Sequence, residues 1–248
     1  MFCWQVNQVM KKVAIVPIAL LMVFTILYAI RSENMHTKQS SPHVLIIGDS
    51  ISIEYALYLA EMLKDEAIVK HIEGNAQHTG TGLKNLDIWI GTTRWDVIYF
   101  NWGLWDLCYR HPDSKVQGFR DKVNGTITTN VEQYERNLDL LVLRLKKTDA
   151  LLIWAQTTVV PEGEAGRFVG DDKKYNEIAA MVMKKHGVMI DDLYKLTKGF
   201  APDLFVEPGN VHFTKEGYKK IADHVADMIR TALKSEHGGD SLKAAHQD

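Results

Sequence analysis

Residues 43–52 read HVLIIGDSIS, and this stretch decides the fold class. Val44 to Ile47 form a short aliphatic run that stops at Gly48, which is typical of a strand buried on both faces of a parallel sheet. Apolar residues beyond Ser50 have helical spacing, so Ser50 is predicted to lie where the strand passes into a helix. Open α/β sheets bind ligands at this edge, where helix N–H groups favour an anion. The alternative is a tight structural turn with Asp49 or Ser50 as N-cap.

Composition and charge exclude several classes of partner. Of the 248 residues, 46% are hydrophobic and 24% charged, and the net charge is -2, as in ordinary globular proteins. Basic residues are spread along the chain, so we expect no nucleic-acid-binding surface. Cys3 and Cys108 are far apart and lack metal-ligand spacing, so we expect neither a disulfide nor a metal site. A small molecule or a glycan is the expected partner.

An apolar segment near the N-terminus predicts a membrane anchor. Val13 to Ile30 is an uncharged run of 18 residues, at the short end of what spans a bilayer. Lys11 and Lys12 precede it, so residues 1–12 are predicted to be cytoplasmic and the remainder exported. An uncleaved signal anchor is favoured over a cleaved signal peptide, because no small-residue cleavage site follows. Residues 31–42 are polar and aperiodic, which indicates a linker.

Strand and helix patterns alternate through residues 43–234, the predicted folded domain. After the first strand, further strands are predicted at 67–72, 97–100, 150–155 and 188–190, and helices at 83–90, 131–145 and 173–185, before a last helix that Thr214 caps. This alternation predicts a parallel sheet with helices on both faces. Residues 74–82 are predicted to be a loop, and residues 235–248 a disordered tail.

Ser50 needs a nearby base to act as a nucleophile, because serine is weakly nucleophilic unless its proton is removed. Among the ten histidines, His212 is the strongest candidate, since it follows an irregular segment and directly precedes a capped helix. His78, in the predicted 74–82 loop, is its competitor. The alternative for His212 is an exposed loop histidine near a helix start.

Two blocks of sequence resemble a known family. Gly48-Asp49-Ser50-Ile51 and Val211-His212-Phe213-Thr214 are similar to the first and last conserved blocks of the SGNH (GDSL-type) serine hydrolase superfamily of esterases and lipases. The resemblance extends from about His43 to Leu233. It implies a flavodoxin-like three-layer α/β/α sandwich, with no metal or cofactor. It also implies Ser50 as nucleophile, His212 as base, and the Ser50 and Gly80 backbone N–H groups as donors to the oxyanion.

The third block departs from the family pattern. The usual sequence is Gly-x-Asn-Asp, whose asparagine donates to the oxyanion, whereas here residues 103–106 read GLWD. Trp105 therefore takes the place of the asparagine, and an indole N–H is a bulkier, differently aimed donor. Either Trp105 or Asn101 supplies the third donor. Asn101 is favoured because it directly follows a predicted strand end.

The last block lacks its usual acid. The family has Asp-x-x-His, but Gly209 stands three residues before His212. Asn210 can orient the imidazole by accepting from its N–H, as the asparagine of a Cys-His-Asn site does, but it supplies no charge to stabilise the imidazolium. Glu207 and Asp203 are alternative sources of that charge.

The sequence thus predicts a membrane-tethered serine esterase with its catalytic domain on the extracytoplasmic side. The resemblance suggests acetyl or other short O-acyl groups on a carbohydrate or lipid as substrate. Two alternatives remain open: a catalytically weak or inactive carbohydrate-binding module on the same fold, and an O-acyltransferase. Four tryptophans can form either a sugar-stacking platform or, more commonly, core; they are Trp89, Trp102, Trp105 and Trp154. A second GDSL string at 239–242 is not expected to be a site, because no strand precedes it.

Overall fold

A computed structural model describes residues 41–244, whose elements alternate as the sequence predicts. The strands are β1 (His43–Ile47), β2 (Ile68–His71), β3 (Val97–Phe100), β4 (Tyr109–Arg110), β5 (Thr126–Ile127), β6 (Leu151–Ala155) and β7 (Met189–Asp191). The α-helices are α1 (Ser50–Met62), α2 (Thr79–Ile90), α3 (Val131–Leu145), α4 (Asp171–His186), α5 (Leu193–Lys198) and α6 (Lys215–Ala244).

Five strands form the central sheet in the order β2-β1-β3-β6-β7, and every pairing in it is parallel. This is the order of flavodoxin-like sheets, in which ligands bind beside the first strand at the carboxyl edge. The predicted parallel sheet is therefore confirmed. β3 is fully buried along its length, as expected for a strand covered on both faces.

Helices cover the sheet on both sides and make three layers. α1 packs against α6, while α3 packs between α2 and α4. The layers enclose one hydrophobic cluster to which β1, β3 and β6 contribute most of their residues. Trp102 and Trp154 are fully buried in this cluster, so the core interpretation holds for these two tryptophans.

Two local structures differ from the sequence-based expectation. Residues 79–82 are not loop, because α2 already begins at Thr79, where the His78 side chain caps it by accepting from the Gly80 N–H. β4 and β5 form an antiparallel hairpin in a segment without a clear hydrophobic period. Its strands are two residues long, too short for a periodic signal.

Helix covers most of the C-terminal segment. α6 continues to Ala244, whereas a disordered tail was expected from residue 235. A helix that is already nucleated by packing gains one hydrogen bond for each residue it adds, so a polar continuation can remain helical. The second GDSL string at 239–242 lies inside this helix and not at a strand-to-helix turn, as expected.

The predicted cytoplasmic segment and membrane anchor, and most of the linker, lie outside the described residues. Between residues 41 and 244, no helix combines the length and apolar composition that crossing a bilayer requires.

Candidate active site

Ser50 is the first residue of α1 and lies at the carboxyl edge of the sheet, one turn after β1. Asp49 is the N-cap, and its Oδ1 accepts from the Ile51 N–H at 3.0 Å. Gly48 allows this turn, because a Cβ there would lie 2.6 Å from Ser52 Oγ. As the first helical residue, Ser50 has no intrahelical acceptor for its N–H, and no other described residue supplies one. That N–H is therefore free to bind a ligand oxygen.

His212 lies beside Ser50 although it is near the C-terminal end of the domain sequence. Its Nε2 lies 2.9 Å from Ser50 Oγ, although the two residues are 162 positions apart. The neighbours Val211 and Phe213 are buried at 2% exposure each and anchor the loop. Thr214 directly precedes α6, and its Oγ1 accepts from the Gly217 N–H at 3.4 Å. The predicted pair is thus brought within hydrogen-bond distance on rigid flanking residues.

Asn210 contacts the other side of the His212 ring. Its Oδ1 lies 2.8 Å from His212 Nδ1 and also accepts from the His212 backbone N–H at 3.0 Å. Because an amide oxygen only accepts, Nδ1 carries the proton, which leaves Nε2 free to accept from Ser50. Asn210 Nδ2 donates to Glu207 Oε1 at 3.1 Å. Asp203 makes no contact with this group, so Glu207 is the nearer of the two acids.

The environment of His212 favours its neutral form. Burial lowers the pKa of the ring most, and the positive charges of Arg167 and Arg120 lower it further, against a smaller opposing effect of Glu54 and Glu164. A neutral imidazole is the form that accepts a proton. The ring is therefore prepared to act as a base at and below neutral pH.

Gly80 lies in the first turn of α2. Its backbone N–H is 3.2 Å from His78 Nδ1, a long bond to a neighbouring side chain. His78, the competing candidate base, caps this helix and makes no contact with Ser50. Its role here is structural.

Asp106 fixes the start of α2. Its buried carboxylate accepts from the Thr79 N–H at 3.0 and 3.1 Å and from Thr79 Oγ1 at 2.6 Å. Asn137 Nδ2 in turn donates to Thr79 Oγ1 at 2.9 Å. Burial raises the pKa of Asp106 to about 7, even though these hydrogen bonds oppose the shift. The acid of the third block therefore connects the turn after β3 to the helix that carries Gly80.

The preference for Asn101 as an oxyanion donor is not supported by its placement. Its Nδ2 donates to Ala155 O at 2.7 Å and to Thr157 Oγ1 at 3.4 Å. Both amide hydrogens therefore have acceptors within the protein. Trp105 is half-buried, and its indole N–H has no hydrogen-bond partner among the described residues. Trp105 is thus the better placed of the two candidates.

Sequence reasoning missed the charged residues around this site. Glu164 is fully buried and pairs with Arg167 at 2.9 Å and with Arg120 at 2.6 Å. They lie in a loop and a hairpin segment that have no periodic pattern, so no sequence signal marked them.

The comparisons with known proteins agree with this architecture. No protein-family model and no curated protein matches the chain. Solved structures do match. A lipase/acylhydrolase from Enterococcus faecalis matches with a TM-score of 0.61 and 19% identity, over 77% of this chain and 96% of its own. An acetyl xylan esterase matches with a TM-score of 0.59 and 16% identity, over 75% of this chain and 99% of its own.

A GDSL-like lipase from Parabacteroides merdae also matches, with a TM-score of 0.59 and 14% identity, over 74% of this chain and 93% of its own. At these identities the likeness shows a shared fold. The chain therefore has the fold of the SGNH (GDSL-type) hydrolases, which the first and last blocks of its sequence predicted.

Proposed function

We propose that this protein is a serine carboxylic ester hydrolase. The observation that carries the proposal is the 2.9 Å approach of His212 Nε2 to Ser50 Oγ at the N-terminus of α1. A base oriented by a third group and in contact with a serine is the arrangement that activates this nucleophile. The structures with the same fold are described as esterases and lipases, which supports the same class of reaction.

The reaction begins when Ser50 Oγ attacks the ester carbonyl carbon and its proton passes to His212 Nε2. The negative charge that develops on the carbonyl oxygen is stabilised by the free Ser50 N–H and by the Gly80 N–H, once the latter exchanges its long bond to His78 for the substrate. The C–O bond to the alcohol then breaks, and His212 donates its proton to the leaving oxygen. This leaves Ser50 acylated.

Water completes the cycle. His212 removes a proton from the water as it attacks the acyl-serine carbonyl, the Ser50–acyl bond breaks, and the proton returns to Ser50 Oγ. The carboxylic acid departs and the enzyme is regenerated. Asn210 keeps Nε2 directed at Ser50 throughout, and Glu207 accepts a hydrogen bond from the Asn210 amide.

The fold relatives support a proposal for the substrate, and the N-terminal sequence supports one for the location of the domain. We propose a short O-acyl ester, such as an acetyl ester, of a carbohydrate or lipid; one of the fold relatives is an acetyl xylan esterase. The apolar run 13–30 would tether the domain to the extracytoplasmic side of a membrane.

Hydrolysis of 4-nitrophenyl acetate by the purified protein tests the proposal. We expect Ser50→Ala to lower kcat by about 10⁴-fold or more, with a comparable loss in His212→Ala. Ser52→Ala is the matched control, because Ser52 lies two residues away in α1 and has its own histidine partner, His71, at 2.7 Å. Ser52 is only 3% exposed, so it is not accessible to substrate.

Three results would contradict the proposal of an esterase. Equal background rates in wild type and Ser50→Ala would show that Ser50 is not a nucleophile. Turnover that requires a sugar acceptor would indicate an O-acyltransferase instead. Binding of a carbohydrate without any turnover would indicate a binding module.

A further inference from the structure

Three arginines lie together beside the proposed active site, and we call Arg110, Arg120 and Arg167 the arginine cluster. Arg167 is buried at 4% exposure, and its Nε donates to Leu104 O at 2.7 Å. The guanidinium of Arg110 lies 4.4 Å from the centre of the Trp105 ring. Leu104 and Trp105 belong to the turn that follows β3, next to the turn that carries Ser50.

The loop that carries Arg167 also reaches the base. The Cβ of a residue at position 209 would lie 2.9 Å from Gly163 C and O, so the loop after β6 packs directly against the residue before Asn210. The same loop contacts the hairpin segment, where the Tyr109 N–H donates to Gly166 O at 2.7 Å. The arginine cluster therefore forms one wall beside Ser50 and His212.

The positive charge of this wall is not balanced. Arg120 and Arg167 share a single carboxylate, Glu164, and neither they nor Arg110 make another ion pair within residues 41–244. Asp121 is the nearest other acid in sequence to Arg120, but its carboxylate accepts from the Val123 and Asn124 backbone N–H groups of its own turn. Among these four side chains, three cations and one anion leave a net charge of two. The buried Asp49 also interacts with Arg167, but burial raises the pKa of its carboxyl, which disfavours its charged form.

Arginine N–H groups without acceptors also indicate a site for an anion. Arg120 bonds through Nε and Nη1, and Arg167 also bonds through Nε and Nη1. No described residue accepts from the Nη2 group of either. Burial lowers the pKa of Arg110 most, and the charges of Arg167 and Arg120 lower it further, while Cys108 and Glu164 oppose this shift. Guanidinium groups with free N–H donors are the preferred partners of carboxylate and phosphate oxygens.

We propose that the arginine cluster binds an anionic group of the substrate, a carboxylate or a phosphate, so that the enzyme acts on esters of acidic rather than neutral molecules. This proposal rests on the proposed ester hydrolysis for the position of the scissile bond. The anion-binding site itself does not depend on turnover.

Binding to Ser50→Ala tests the site without hydrolysis. The probes are 4-acetoxybenzoate, 4-acetoxyphenyl phosphate and the neutral methyl 4-acetoxybenzoate, with calorimetry as the readout. We expect an anionic probe to bind about tenfold or more tightly than the neutral one, as for hydrogen bonds to a charged group, and to weaken as salt is added. The two anionic probes separate a carboxylate site from a phosphate site.

Arg110→Gln in the same background removes one charge from the wall, whereas Arg110→Lys keeps the charge. We expect Arg110→Gln to weaken binding of the anionic probe about tenfold and to leave the neutral probe unchanged, with Arg110→Lys in between. Arg94→Gln is the matched control, because Arg94 is exposed and precedes β3 at the opposite edge of the sheet. Melting temperatures verify that each variant is folded.

Equal affinity of Ser50→Ala for anionic and neutral probes would overturn the proposal, and so would equal weakening by Arg110→Gln and Arg94→Gln. Turnover by the enzyme with Ser50 intact is measured separately with the same esters. Loss of turnover with anion binding retained would refute the hydrolase but not the site. Turnover of the neutral ester with no anion preference would refute only the site.

Discussion

Asn210 Oδ1 lies 2.8 Å from Nδ1 of His212 and 3.0 Å from the backbone N–H of the same residue. One amide oxygen thus fixes both the ring and the main chain of the base. In many serine hydrolases an aspartate performs the first of these tasks and adds a negative charge. Here the charge is one step further away, on Glu207. Orientation and charge are therefore supplied by different residues and can be tested separately.

Asn210→Ala should remove orientation alone. We expect kcat for 4-nitrophenyl acetate to fall about tenfold or more, because the hydrogen bonds of Asn210 Oδ1 to the ring and to the main chain of His212 are both lost, with little change in KM. Glu207→Gln, which keeps an acceptor for Asn210 Nδ2 but removes the charge, is the matched variant. A rise in KM without a change in kcat would show that Asn210 binds substrate instead of positioning His212.

Restoring the charge requires two substitutions. Asn210→Asp alone would place a carboxylate beside Glu207, 3.1 Å from the present Nδ2 position, and like charges repel. The double variant Asn210→Asp/Glu207→Gln places a single charge in contact with the ring. We expect it to raise the pKa of His212 and to raise kcat on the alkaline plateau, because the imidazolium formed in the reaction is stabilised. A plateau no higher than that of Glu207→Gln would contradict this.

The pH dependence of kcat/KM should report the environment of His212. Burial, and then the charges of Arg167 and Arg120, lower its pKa below the ordinary value of about 6.5. Because the neutral ring is the active form, activity should persist to a pH below 6.5 before it falls. Arg120→Gln removes one of the charges and should shift that acidic limb upward, while Arg94→Gln should leave it in place. An acidic limb above pH 6.5 in the wild type would contradict the assignment of His212 as the base.

The elements that sequence predicted well are those whose signal is local. β1 and β3 are continuous apolar runs bounded by a glycine or a polar turn, and burial on both faces requires that pattern. Ser50 and His212 were identified because each lies next to an element with a local signal: Ser50 follows β1, and His212 precedes α6. Asn101 was judged from the strand end before it, but its acceptors, Ala155 O and Thr157 Oγ1, come from β6 and the loop after it. No local pattern records that contact.

The arginine cluster was invisible to sequence for the same reason. Its members come from a hairpin and a loop that are separate in sequence and lack periodicity, and Glu164 is buried only because both segments cover it. A buried carboxylate with two arginine partners is a property of the folded chain.

Asp106 gives a prediction that links stability to activity. Burial raises its pKa to about 7 in the folded protein, whereas an unfolded aspartate titrates near 3.9. Because the pKa of Asp106 is higher in the folded protein, its protonation stabilises the fold, and this contribution is complete when the pH is below the unfolded pKa. The contribution is lost as the pH rises to about 7. Asp106→Asn mimics the protonated form. The free energy of unfolding of wild type relative to this variant should therefore fall between about pH 4 and pH 7.

The same substitution has a kinetic consequence, because Asp106 fixes Thr79 and hence the turn of α2 that carries Gly80. We expect Asp106→Asn to retain the acceptor for Thr79 and to keep most of kcat, while Asp106→Ala loses it and lowers kcat. Equal kcat in both variants, with both folded, would show that α2 is positioned without Asp106.

The contact between His224 and Asp191, the last residue of β7, should also make the stability of the protein depend on pH. Its Nε2 lies 2.6 Å from Oδ1 of Asp191, a fully buried carboxylate whose Oδ2 accepts from Tyr99 OH at 2.6 Å. This hydrogen bond raises the pKa of His224, with burial opposing it.

Because the folded pKa of His224 lies above the unfolded value, the pair stabilises the protein fully below about pH 6.5, and the stabilisation is lost as the pH rises through the folded pKa. His224→Gln should therefore destabilise the protein at pH 5.5 and much less at pH 9, as measured by urea denaturation. His186→Gln serves as the control, since His186 pairs with the more exposed Asp139 at 2.7 Å. Equal destabilisation by His224→Gln at both pH values would show that the contact stabilises the fold as a neutral hydrogen bond and not as an ion pair.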